Sequence, residues 1–146
     1  MQVKLPDYNE IPDVGLYLDQ VTKYINGYLL LNGCNEVTPS MISNYVKLKI
    51  VPKAHKKTYS REQIAMFIFV SFSKAVLSMD QIRDSFKIQS ELCSIEEAYH
   101  LFYEDMMKED YDMPTEIKNE KDIIHFVSSG VKHKIILDSY FKDRNS

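Results

Sequence analysis

A chain of 146 residues, 45% of them hydrophobic, has room for one domain with a real core and lies outside the disordered class. Its two cysteines, Cys34 and Cys93, exclude a disulfide framework and fit a reduced, cytoplasmic setting. The formal charge is −3, yet no Asp or Glu stands between Val37 and Arg61, where six bases do, leaving 12 basic against 21 acidic residues elsewhere.

Residues 1–20 carry acids and prolines where a signal peptide needs an apolar stretch. Leu18, Val21, Ile25, Tyr28 and Leu29 then recur at helical spacing and predict a first helix over about 14–31, ended by Asn32-Gly33. A second helix, 38–49, starts at the hydroxyl of Thr38 with Pro39 at its first turn. Its apolar side is Met41, Ile42, Tyr45, Val46 and Leu48. The other side, Ser40, Ser43, Asn44 and Lys47, is a stripe of short polar side chains ending in a cation.

Residues 50–58, with Pro52 and four bases or histidines, are too broken for a helix and read as a wing, either a tight loop or a small hairpin. Three Ser-x-x-Gln/Glu signatures follow, Ser60/Gln63, Ser78/Gln81 and Ser94/Glu97, predicting helices over 61–76, 79–87 and 95–110. The first of these is apolar around most of its circumference and is the expected central helix. Its Met66–Phe72 run, the longest apolar one, is too short to span a bilayer, so no membrane role is expected. Residues 110–119, with Pro114, read as a loop. Residues 120–142 form a last helical stretch with a possible break at Gly130. Glu91–Asp122 carries 11 acids against 3 bases, so this half is as acidic as the centre is basic.

The order of elements predicts a mostly α fold: a winged helix-turn-helix over 1–90 with an N-terminal helix, then an acidic helical segment, 91–146, for dimerisation or packing. Such a fold places its second helix in the major groove of double-stranded DNA while wing cations hold phosphates. Asn44 suits bidentate contact with adenine, and Ser40 and Ser43 suit either base type. Lys47, Lys49, Lys53, Lys56, Lys57 and Arg61, with the hydroxyls of Tyr45 and Tyr59, are the candidate phosphate contacts. A solvated basic face is the plainer reading of the charges, and core packing that of the tyrosines.

Residues 37–64 resemble the start of a mercury-resistance-regulator-type winged helix, in Val37-Thr38, Tyr45, Ile50-Val51-Pro52 and Tyr59-Ser60. Leu77-Ser78-Met79-Asp80-Gln81-Ile82 is similar to a later segment of that family. Ser43 stands where that family usually has a phosphate-binding arginine, and Lys49 at its usual glycine. The long first helix is also atypical. A closer resemblance spans nearly all of residues 5–90. It lies in Ile11-Pro12-Asp13, Leu16–Val21, Thr38–Lys47 and Lys56–Glu62, which look like an uncharacterised bacterial family, domain of unknown function 1836. That resemblance implies a winged-helix regulator-like protein and carries no activity with it.

No phosphate loop, Gly-x-Ser-x-Gly or His-Glu-x-x-His occurs, and the four histidines do not cluster at ligand spacing, so no enzyme, cofactor or metal is expected. Tyr99, Leu101, Phe102, Tyr103 and Met106 read first as packing against the core or a second subunit, and more sharply as a pocket for an unknown small-molecule effector. The expectation is therefore a cytoplasmic, homodimeric DNA-binding regulator. The alternative is a protein-interaction adaptor that keeps the fold without reading DNA.

Overall fold

The computed structural model describes residues 3–108 and 116–144. The expected loop at 110–119 falls largely outside them. Six α-helices follow one another among the described residues: α1 (Leu18–Leu31), α2 (Pro39–Lys47), α3 (Arg61–Ser73), α4 (Met79–Ser90), α5 (Ile95–Met107) and α6 (Asp122–Arg144). The helix starts obey local chemistry. The Thr38 hydroxyl accepts from the Met41 N–H at 3.1 Å. Ser60 and Ser78 exchange reciprocal bonds with Gln63 and Gln81, closing two full capping boxes. The third is one-sided: Ser94 accepts from the Glu97 N–H and turns its hydroxyl to the Glu97 carboxylate.

Two asparagines act as backbone mimics and hold the connections. Asn26 on α1 both donates to and accepts from the backbone of Val37, at 2.8 and 2.7 Å, fixing the turn into α2. Buried Asn32 does the same to Lys4, which ties the N-terminal segment to the end of α1. α3 is the central helix: nine of its residues are buried, and α1, α5 and α6 pack around it. One hydrophobic core runs from Val3 to Ile135, so the segments expected at 1–90 and 91–146 share it.

Three expectations are corrected. α1 starts at Leu18, because Gly15 holds a left-handed φ of 70° and Leu16 is drawn into a β-bridge with Tyr59. Of the two forms expected for 50–58, the structure has the tight loop and not the hairpin, so the β-hairpin wing of a winged helix is not supported. Among the described residues there is no β-strand, and 55–58 form one closed turn in which His55 and Thr58 exchange N–H···O bonds of 3.0 and 2.9 Å. No ladder grows from it: the Ser60 N–H bonds to Gln63 Oε1 and the Gln63 Nε2 donates to the Lys53 carbonyl, which diverts the next rung, while Tyr59 pairs on its other edge with Leu16. α6 is unbroken at Gly130; a Cβ there would come to 3.1 Å from the Val76 side chain, so the glycine serves close approach.

Candidate nucleic-acid interface

α2 is amphipathic as expected. Ile42 (0% exposed) and Tyr45 (3%) face the core, Ser40, Asn44 and Lys47 are exposed, and Ser43 is half-buried. Past Lys47 the helix closes with a Schellman motif: the Lys49 N–H bonds to the Val46 carbonyl at 2.9 Å and the Ile50 N–H to that of Tyr45 at 3.0 Å. Lys49 occupies the left-handed position of the motif, φ 59°, where glycine is the usual residue. Ile50 and Val51 then turn into the core and leave Pro52 and Lys53 outside.

α4 lies against this helix end. The Arg83 Nε donates to the Leu48 carbonyl at 2.9 Å, and its guanidinium pairs with Asp80 at 3.0 Å. The result is an open cleft bordered by Lys47, Lys49, Lys53, Arg83 and Lys87, over an apolar floor that includes Met66 and Phe86. The structure thus brings together three of the expected cations and adds two from another helix. Arg83 and Lys87 sit one helical turn apart, a signal visible in the sequence of a helix expected there only from its Ser78/Gln81 start.

Lys56 and Lys57 occupy the centre of the 55–58 turn, at φ 48° and 67°. Two left-handed central residues define a type I′ turn, for which Asn-Gly is the favoured pair. Both lysines are exposed.

Three expected phosphate contacts are corrected. The Tyr45 hydroxyl is sealed from solvent beside Ser71, and burial pushes its pKa up. Tyr59 is buried too, edge-on to Phe67 with centroids 5.0 Å apart. Both rings are core, their hydroxyls notwithstanding. Arg61 is engaged inside the chain: its Nε donates to the Ile11 carbonyl at 2.9 Å, and its guanidinium lies 5.6 Å from the Tyr8 ring centre. It pins the N-terminal segment to the start of α3.

The acidic half is built differently. Asp105 on α5, 8% exposed, meets His125 of α6. The ammonium of buried Lys132 donates to the backbone carbonyls of Asp105 and of Lys108, the latter at 3.1 Å. Burial lowers the Lys132 pKa, partly offset by the Asp105 charge. Among the described residues no group of three His, Cys, Asp or Glu side chains converges as a metal site, and no helix is long and apolar enough to cross a membrane.

The family described as Domain of unknown function (DUF1836) matches residues 6–106, which include the whole cleft, the 55–58 turn and α5 almost to its end. No curated protein and no solved structure matches the chain.

Proposed function

For this chain, which belongs to the family of domain of unknown function DUF1836, we propose the role of a sequence-specific DNA-binding regulator acting as a homodimer. One observation carries the reading. Among the described residues, the only non-glycine positions with left-handed backbone are Lys49, Lys56 and Lys57, all in the basic island. A Cβ makes that conformation unfavourable by about 1 kcal/mol per residue. None of the three is buried, so no packing inside the chain offsets the strain. Strain of this kind gathers where a surface is shaped for a ligand. Long cations aimed outward by fixed turns suit a phosphate backbone.

On this reading exposed Ser40 and Asn44, with half-buried Ser43 between them, face base edges in the major groove, while Lys47, Lys49, Lys53, Lys56 and Lys57 hold phosphates. Arg83 and Lys87 extend the phosphate track along α4. The closed 55–58 turn takes the place of a wing. α6 exposes Ile136, Leu137, Tyr140 and Phe141 along one side, each more than half accessible, and this stripe supports pairing with a second copy. Two α2 helices would then sit about 34 Å apart on one face of a duplex.

Fluorescence anisotropy on random and selected duplexes across a salt series tests the proposal. Lys56→Ala and Lys57→Ala should each flatten the salt slope by about one unit on every sequence. Asn44→Ala should weaken only the preferred site, by about 1–3 kcal/mol at one base pair. Equal binding to duplex and to polyglutamate would replace DNA reading with docking of an acidic protein partner.

A further inference from the structure

The basic cleft has an apolar floor that phosphate contacts leave wet. Between its cations lie Val46 at the end of α2, Pro52, Met66 on α3, Phe86 on α4 and Ile95 at the start of α5. Val46, Phe86 and Ile95 are half-buried and Pro52 is exposed, so water reaches this carbon. A DNA backbone brings charged oxygens to the rim. The floor recovers free energy only when another apolar group covers it.

The cations stand on two sides of that floor. Lys47, Lys49 and Lys53 come from the end of α2 and the segment after it, Arg83 and Lys87 from α4. No carboxylate belongs to the lining. Asp80 answers part of the Arg83 charge at 3.0 Å. Among the described residues, the four lysines meet no carboxylate at ion-pair distance. The cleft holds about 770 Å³. That lies within the span of small-molecule sites, roughly 300–1,000 Å³. Positive charge and bare carbon in one concave site call for a ligand that carries both complements.

We propose that this cleft binds a free small-molecule amphiphile, a carboxylate on an unbranched aliphatic body. The tail covers Phe86 and Ile95 while the head sits among the lysine ammonium groups at the rim. A bound anion cancels part of the charge that a duplex would meet at Lys47, Lys49 and Lys53, so it antagonises DNA binding. The antagonism rests on the DNA reading above; occupancy of the cleft does not.

Octanoate, octanamide and acetate are the probes: the first has both tail and charge, and the others each lack one. Binding to the full chain is read by titration calorimetry at low salt, where exposed charges are least screened. Placement is read by NOEs from the octyl protons. Octanoate should bind about tenfold tighter than octanamide, and acetate should give no heat at the same concentration. The double change Lys49→Gln, Lys87→Gln alters exposed side chains only and should cut the octanoate preference to about twofold. NOEs should reach Val46 and Pro52. Duplex affinity should fall as octanoate saturates the chain, and octanamide at the same concentration should leave it unchanged. Equal affinity for octanoate and octanamide would overturn the proposal, as would NOEs confined to residues away from the cleft. So would capture of phosphatidylglycerol vesicles, or of an acidic helical peptide, with no binding of free octanoate. Octanoate held in the cleft without loss of duplex affinity would uphold the site and remove the cleft from the DNA face.

Discussion

α1 and α2 end in the same hydrogen-bonded closure, yet with different residues at its left-handed position. At the end of α1, Gly33 and Cys34 bond back to Leu30 and Leu29 at 3.0 and 2.8 Å, with Gly33 at φ 71°. At the end of α2, Lys49 and Ile50 bond back to Val46 and Tyr45, with Lys49 at φ 59°. The first end follows the rule that glycine relieves the Cβ clash. The second breaks it, and the 55–58 turn breaks it twice more. Lys132 shows that the fold has another way to use a lysine, buried with carbonyl acceptors. The lysines at strained positions lie outside, where the proposed contact with a duplex would use them.

The largest test of that contrast is the triple change Lys49→Gly, Lys56→Asn, Lys57→Gly. Two glycines remove the Cβ strain outright and an asparagine, which tolerates the left-handed region, lessens it at the third, so the fold should gain about 2 kcal/mol in urea denaturation while duplex binding falls sharply. A triple variant no more stable than the parent would mean that the lysines carry no strain. Lys132→Met is the counterpart within the acidic half. It leaves the buried Asp105 carbonyl and the part-buried Lys108 carbonyl without this donor and should cost about 2 kcal/mol, with DNA affinity unchanged. Gly33→Lys reverses the experiment. A Cβ there meets nothing within 4 Å, so only the torsion is felt, and a loss of about 1 kcal/mol is expected.

The smallest effect is a pH dependence. Burial lowers the Lys132 pKa below its ordinary 10.5. Between the lowered value and 10.5 the unfolded chain keeps a proton that the folded chain has released, so wild-type stability gains with pH across that interval. The deficit of Lys132→Met should therefore widen as pH rises toward 10.5, in denaturation curves of the two proteins run side by side. A constant deficit would place Lys132 in an environment no drier than the surface lysines.

The helices were legible because their signals are local. Thr38, Ser60, Ser78 and Ser94 each cap a helix, and each lies within three residues of the backbone N–H that it satisfies. The central role of α3 was legible from its all-round apolar surface. The exposed polar side of α2 was legible too, since helical periodicity alone places it opposite the apolar side. The errors all come from partners far along the chain. Arg61 bonds to Ile11, 50 residues earlier, and no local pattern distinguishes that from a free cation. Tyr45 and Tyr59 have amphipathic side chains, and only the surrounding core decides which half wins.

The sequence by itself determined which stretches are helical and where the capped ones begin, which faces are apolar, and that positive charge is concentrated in one stretch. These follow from capping, periodicity and composition, which act over a few residues. Tertiary structure alone decided that Tyr59 bridges to Leu16 and that Arg61 bonds to Ile11. It also decided that α4 adds Arg83 and Lys87 to the cleft. Each of these depends on which distant segments share space, a choice made by packing the whole core at once.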